Sequence, residues 1–191
     1  MLAIGTLGHF THFALSVISR AALPPYSVGD ISHHIWTVFS RCVIPVVVVV
    51  FPFGMVMALQ GLTIFDLFGA QRLLSSMVGV AVFRELSPVL ASVLVASQAG
   101  SAFAAQLGAM RIQEELDATE VMAVDPIRVH VVPRIIAVVV ATPLLNWCGS
   151  MGGVLGGFVT AVWFKGETAG IYWANLWSLI GTGTIVGGLI K

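Results

Sequence analysis

The feature that most constrains this sequence is the placement of its charges, which leaves four long stretches without any. The 191 residues include nine Lys and Arg and nine Asp and Glu. The uncharged stretches are 24, 25, 30 and 23 residues long and cover 42–65, 86–110, 135–164 and 168–190. A helix needs about 20 apolar residues to cross the hydrocarbon core of a bilayer. We therefore predict four transmembrane helices, near 43–65, 86–109, 135–163 and 172–190.

The composition agrees with a membrane protein. Charged residues make up 9% of the chain, whereas soluble domains contain about 25%, and the mean hydropathy is +0.98. Backbone polar groups in lipid must be satisfied within a helix or a closed barrel, and long uncharged runs do not resemble the short alternating strands of a barrel. We predict an all-α polytopic membrane protein. The net charge of zero gives no indication of a nucleic-acid partner.

Residues 1–40 precede the first predicted span and do not resemble a signal peptide, because the first charged residue is Arg20 and a basic n-region is missing. A helix over 6–21 would carry its apolar residues on one stripe, which is typical of a helix lying in the membrane interface. Pro24 and Pro25 would end that helix. The stripe consists of Leu7, Phe10, Ala14, Val17 and Ala21.

The Lys and Arg residues predict the orientation, because cytoplasmic loops carry an excess of them. With a cytoplasmic N-terminus, six lie inside and three outside. The inside set is Arg20, Arg41, Arg111, Arg128, Arg134 and Lys191, and the outside set is Arg72, Arg84 and Lys165. This orientation places the segment 111–134 in the cytoplasm.

Two predicted spans carry small residues four positions apart, a spacing that lets helix backbones approach closely. We predict that these residues lie at helix-packing contacts. They are Gly100, Ala104 and Gly108 in the second span and Gly149, Gly153 and Gly157 in the third.

The segment 111–134 contains eight of the eighteen charges. On a helix over 112–123, one face is apolar, Glu114 and Asp117 lie opposite, and Glu115 and Glu120 flank the apolar face. Pro126 ends the helix, because the residue before a proline is disfavoured in the helical region. The apolar face consists of Ile112, Leu116, Thr119 and Ala123.

Three interpretations of this acidic helix remain open. It can be a solvated connector, a plug for a groove with a basic rim on a soluble partner, or a helix packed on its own bundle. Four acids on the cytoplasmic side oppose both the positive-inside trend and the anionic membrane surface, which disfavours a simple connector. A calcium site is disfavoured, because the acids do not follow the D-x-D-x-D-G spacing.

A family resemblance covers residues 84–134. The motifs are R-E-L-x-P, G-S-A-x-A-A-x-L-G-x-M, E-x-x-D-A-x-E-V-M, V-D-P-I-R and V-V-P-R. With them, the chain strongly resembles the MlaE/YrbE permeases, the membrane subunits of MCE-type ABC lipid transporters, and the mycobacterial YrbE type in particular.

The resemblance implies one permease domain over 1–191, in the plasma membrane with a cytoplasmic N-terminus. Such a permease pairs with a second permease chain and moves lipid between the membrane and an extracytoplasmic MCE protein. A separate cytoplasmic ATPase binds the ATP, and this chain has no G-x-x-x-x-G-K-[ST] run and needs no cofactor of its own. The segment 111–125 matches the coupling helix that docks on the ATPase. Its docking residues would be Ile112, Glu114, Glu115, Leu116, Asp117, Glu120, Met122 and Asp125.

The sequence departs from the family pattern in three ways. Gln98 and Gln106 stand where many members have Arg and Glu, which favours a heterodimer of two related permeases. Members of the family commonly continue for another span beyond the equivalent of Lys191, and this sequence does not include it, through either truncation or a naturally short chain. Ala123 stands where the family has glycine, so we expect a helical backbone there.

Other functional classes fit less well. An enzyme is disfavoured, because the five histidines lie outside the predicted spans and no G-x-S-x-G elbow occurs. A secondary transporter would hold charged residues within its spans, and these spans have none. A non-transporting membrane anchor subunit remains an alternative. The histidines are His9, His12, His33, His34 and His130, and the polar residues of the spans include Gln60, Gln98, Gln106 and Asn146.

Overall fold

A computed structural model describes residues 8, 11–17, 19, 28–69, 73–166 and 168–190. All regular elements in these ranges are helices, which confirms the prediction of an all-α protein. The helices are α1 (11–17), α2 (Val28–Phe68), α3 (Leu74–Ala81), α4 (Ser87–Ile112), α5 (Glu115–Val121), α6 (Val132–Lys165), α7 (Ala169–Leu179) and α8 (Thr182–Ile190). Two π-helical segments, Val82–Leu86 and Ile127–Val131, lead directly into α4 and α6.

Three helical stretches are long and apolar enough to cross a membrane. They are Gly29–Phe68, Leu74–Ile112 and Ile127–Phe164. Each contains one of the first three predicted spans. A helix of 40 residues is about 60 Å long, twice the thickness of a typical hydrocarbon core. The helices therefore continue past the charge-free runs from which the spans were predicted.

The predicted fourth span, 172–190, differs from the structure. It is divided between α7 and α8, which have 11 and 9 residues and are each too short to cross a bilayer. The division falls at Ile180, whose ψ of 80° lies outside the helical region. Glycine follows at 181, and its low helix propensity favours an interruption there. Ile180 is buried in the apolar core formed with the neighbouring helices.

The chain forms two compact units. The first consists of residues 1–38 and 99–141 and holds α1, α5 and parts of α2, α4 and α6. In α1, Ala14 and Val17 of the predicted stripe are covered, while Leu15 is exposed. The other predicted stripe residues, Leu7, Phe10 and Ala21, and the two prolines lie outside the described residues. Residues 28–40, expected to belong to the interfacial segment, are the first turns of α2.

The second unit consists of residues 39–98 and 142–191. Its core is built almost entirely from aliphatic side chains, with Tyr172 as the largest buried residue. Such a core suits helices that pack closely in an apolar solvent, where van der Waals contact stabilises association. The core side chains include Val46, Val50, Leu74, Val78, Val82, Val154, Tyr172 and Leu176.

Candidate functional site

The sequence predicted one helix over 112–123, and the family resemblance implied a coupling helix over 111–125. The structure instead has a short helix set apart from α4. Helix α4 ends at Ile112 and α5 runs only from Glu115 to Val121. Between them Glu114 has a φ of 59°, in the left-handed region. A left-handed residue reverses the local twist and ends an α-helix. Because the chain turns here, Ile112 does not share a helical face with Leu116.

A second left-handed residue, Ala123, follows α5, with a φ of 59°. The expectation of a helical Ala123 is therefore wrong. The N–H of Val124 donates to the carbonyl of Thr119 (3.1 Å), and the N–H of Ala123 donates to that of Glu120 (3.0 Å). This pair of bonds is a Schellman motif, which satisfies the last carbonyls of the helix and usually has glycine at the left-handed position.

The acids of this segment fall into two groups. Asp117 forms an ion pair with Arg111, and the Oδ1 of Asp125 accepts a hydrogen bond from the N–H of Ile127 (3.1 Å). These two carboxylates therefore stabilise the connections of α5 to its neighbours. The three glutamates Glu114, Glu115 and Glu120 are exposed and give the segment its negative surface.

Large apolar side chains stand beside these glutamates. Ile112 is 85% exposed, Val121 is 88% exposed and Met122 is 66% exposed. Exposed apolar side chains that cluster within a polar rim mark interaction sites. We call Ile112, Val121, Met122 and the three exposed glutamates the docking face.

A groove of about 300 Å³ lies beside α5, entirely within the first unit. Its walls are mostly apolar, and the Arg111–Asp117 ion pair and Glu120 lie at them. Leu116, the half-buried apolar residue of α5, points toward this groove and not toward the docking face. The lining residues are Phe13, Leu107, Arg111, Leu116, Asp117, Glu120, Pro126, Ile127 and Val131.

The glycines predicted to lie at packing contacts in α6 are in tight contact. A Cβ placed at Gly149 would lie 2.9 Å from Val46, one at Gly153 would lie 2.7 Å from Val82, and one at Gly157 would lie 2.7 Å from Val78. These distances are shorter than ordinary van der Waals contact. The α6 stripe (Gly149, Gly153, Gly157) therefore packs directly against neighbouring helices of the second unit.

The small residues of α4 have a different environment. A Cβ placed at Gly100 or Gly108 would meet no other atom within 4 Å in the part of the chain that the structure describes. Ala104, one turn from each of them, is exposed. Among the described residues, the α4 stripe (Gly100, Ala104, Gly108) is therefore uncovered.

Sequence reasoning noted Asn146 only as a polar residue within a span. In the structure, the hydroxyl of Ser87 donates to the side-chain oxygen of Asn146 (2.7 Å). The amide nitrogen of Asn146 donates to the carbonyl of Gly188 (3.0 Å). Asn146 thus connects α4, α6 and α8 within the second unit, and a single asparagine in an apolar run was the available signal for such a contact.

Together, the long apolar helices define a multi-pass membrane protein, and a short acidic helix is exposed on its surface. The family model described as "Permease MlaE" matches residues 31–191. The chain belongs to this MlaE permease family, and the match includes residues of both compact units.

Similar proteins are found in several lineages. A probable ABC transporter permease protein of Rickettsia felis is 30% identical over 186 residues, which cover 97% of this chain and 72% of the relative. The intermembrane phospholipid transport system permease protein MlaE of Haemophilus influenzae is 37% identical over 139 residues, covering 72% of this chain and 53% of the relative. A chloroplastic protein of Arabidopsis thaliana, TRIGALACTOSYLDIACYLGLYCEROL 1, is 40% identical over 100 residues. These residues cover 52% of this chain and 29% of the relative.

Proposed function

We propose that this chain is the permease subunit of an ABC-type lipid transporter in the plasma membrane. It moves hydrophobic lipids between that membrane and an extracytoplasmic MCE protein, and a separate cytoplasmic ATPase drives it. The family match and the names of the Haemophilus and Rickettsia relatives support lipid transport and an ABC assembly. The three long apolar helices support a multi-pass position in the membrane.

The docking face is the observation that carries the proposal. It combines exposed apolar side chains with exposed carboxylates, which fits a partner groove with an apolar floor and a basic rim. A partner that covers these residues would bury apolar surface that is exposed in this chain, which favours binding. The residues are Ile112, Val121 and Met122. We assign this partner as the ATPase and place the docking face, with the N-terminus, on the cytoplasmic side.

The α4 stripe supports a second permease chain as a further partner. Small residues at Gly100, Ala104 and Gly108 allow another helix to approach closely, and no side chain of the described residues fills the space above the two glycines. The partner is a second copy or a related permease.

Disrupting the docking face tests the assignment. In Val121→Asp combined with Glu120→Lys, an apolar anchor becomes charged and an ammonium group replaces one of the three rim carboxylates. We expect the amount of ATPase that co-purifies with the tagged chain to fall about tenfold or more, because loss of one anchor commonly costs over about 1.4 kcal/mol. Both residues are exposed, so folding and membrane insertion should persist.

The matched control is Leu67→Asp, which introduces the same charge at another exposed apolar position, 81% exposed at the end of α2. This variant should retain the ATPase. Equal retention in the docking-face variant and in the control would contradict the assignment. A wild-type complex in which the chain does not stimulate ATP hydrolysis in the presence of lipid would favour an anchor subunit over a permease.

A further inference from the structure

Arg134 is a buried cation that lacks an anionic partner in this chain as described. It lies in the apolar stretch Ile127–Phe164 and is only 6% exposed. Its Nε and Nη1 atoms are buried and make no hydrogen bond to any described residue. The Nη2 atom contacts the sulfur of Met110 (3.8 Å), and the guanidinium carbon lies 5.8 Å from the centre of the Phe103 ring.

These contacts do not replace an anion. A thioether is a weak acceptor, and an aromatic face neutralises no charge. Buried guanidinium groups are ordinarily paired with carboxylates or phosphates, because an uncompensated charge in a low-dielectric environment is strongly unfavourable. The functional form of the protein is therefore expected to supply an anion at this position.

Two histidines of the same unit are neighbours of Arg134, one along the chain and one in space. His130, one turn before Arg134 along the chain, has a buried Nε2 that is also without a partner among the described residues. His34 of α2 lies close enough to Arg134 for the two to interact electrostatically, and Asp30 is the acidic group that acts on His34. Arg134 and His130 thus each carry buried nitrogen atoms that have no partner among the described residues.

The site is closed on the α4 side by side chains that can move. Phe103 and Met110 are both half-buried, and methionine adapts readily to a new neighbour. Position 106 falls between them on the same face by the helical period, and Gln106 is exposed. The exposed Gln106 therefore marks the face of α4 from which a ligand can approach Arg134.

We propose that Arg134, assisted by His130, binds the phosphate group of a lipid headgroup. Guanidinium donors match phosphate oxygens in a bidentate geometry, and the apolar neighbours Phe103 and Met110 suit the part of a lipid next to its headgroup. The proposal rests on the proposed function as a lipid permease and extends it by naming a headgroup-binding residue. A lipid phosphate and free phosphate share this chemistry, and the test distinguishes them.

The test measures lipid retained by the full assembly, isolated in nanodiscs through a tag on this chain and analysed by native mass spectrometry. The nanodiscs contain equal amounts of phosphatidylglycerol, phosphatidylcholine and diacylglycerol. We expect both phospholipids to be retained over diacylglycerol, and Arg134→Gln to lower their retention about tenfold. Arg134→Lys, which keeps the charge without the bidentate geometry, should give an intermediate loss.

Gln106→Glu tests the site without altering the buried arginine. Its carboxylate should pair with Arg134, raise the Tm by about 2 °C or more and compete with the phospholipid, which lowers retention. Gln113→Glu makes the same chemical change at an exposed position after α4 and should alter neither quantity. If Arg134→Gln does not fold, the pair of Gln→Glu variants decides the question.

Unchanged phospholipid retention in Gln106→Glu, with or without a higher Tm, would overturn the proposal and leave Arg134 a structural charge. Equal retention of diacylglycerol, together with binding of inorganic phosphate that depends on Arg134, would overturn the lipid assignment in favour of a free anion. Co-purification of the ATPase is read in the same preparations. Its loss from the docking-face variant is independent of lipid retention, so failure of one proposal is distinguishable from failure of the other.

Discussion

The stripes of α4 and α6 share one sequence pattern and differ in structural role. In α6, Gly149, Gly153 and Gly157 lie against valine side chains of neighbouring helices. In α4, Gly100 and Gly108 face open space within the described chain. Small residues four positions apart permit close approach of another helix, but they do not specify which helix approaches. The α6 stripe therefore contributes to the packing of the second unit. The α4 stripe is uncovered among the described residues and can accept a helix of another chain.

Gly153→Leu is expected to cause the largest loss of stability. It tests whether the α6 stripe packs against neighbouring helices. The Cβ alone would lie 2.7 Å from Val82 and 3.0 Å from Val50, so a leucine must displace buried helices. We expect a loss of about 3 kcal/mol or more of stability, measured as loss of monodisperse protein and of Tm in detergent. Gly100→Leu is the matched substitution in α4 and should leave both unchanged. Comparable Tm losses in the two variants would remove the distinction between the stripes.

Gly100→Leu should instead weaken association with a second permease chain. A leucine there prevents close backbone approach, and we expect at least about tenfold less pairing, or about 1.4 kcal/mol. Co-purification of two differently tagged chains, or of a related permease from native membranes, measures this pairing. Ala109→Leu enlarges an exposed residue on another face of α4 and serves as the control. Pairing that survives Gly100→Leu would place the second chain elsewhere.

Asn146→Ala tests whether the packing of the second unit also depends on polar contacts. The substitution leaves the Ser87 hydroxyl without its side-chain acceptor and the Gly188 carbonyl without its donor. We expect a loss of about 1 kcal/mol, since hydrogen bonds between membrane helices contribute modestly. The Tm measures the loss, and Gln60→Ala, at an exposed position of α2, should leave it unchanged. If Asn146→Ala and the wild type have the same Tm, the hydrogen bonds of Asn146 do not stabilise the packing of α8, and close contact between the helices accounts for it.

The sequence predicted those features that depend on local composition. The first three spans follow from runs without charge, because the bilayer sets a minimum apolar length. The acidic helix was recognisable from its amphipathic pattern, although its bounds were wrong. The interruption at Ile180 was not predicted, because an isoleucine carries no signal for a non-helical ψ and Gly181 beside it is only a weak signal.

The surroundings of Arg134 and the backbone conformation of Glu114 were likewise not predicted from the sequence. Arg134 was counted as one of six cytoplasmic charges, and only the structure shows that Phe103 and Met110 cover it. Glu114 carries no sequence signal for a left-handed backbone, since glycine and asparagine are the residues that favour it. A periodic pattern of apolar and charged residues encodes neither the cover over Arg134 nor the backbone conformation of Glu114.

At Ala123 the backbone favours glycine, because its φ of 59° is left-handed, but the chain has alanine there. A left-handed alanine costs about 1 kcal/mol relative to glycine, partly offset by the greater flexibility of glycine in the unfolded chain. Ala123→Gly should therefore stabilise α5 by several tenths of a kcal/mol, measured as slower amide hydrogen exchange over Glu115–Val121. Ala118→Gly, within the helix, should accelerate exchange over the same residues. Faster exchange in Ala123→Gly would mean that position 123 is not left-handed in the membrane-embedded protein.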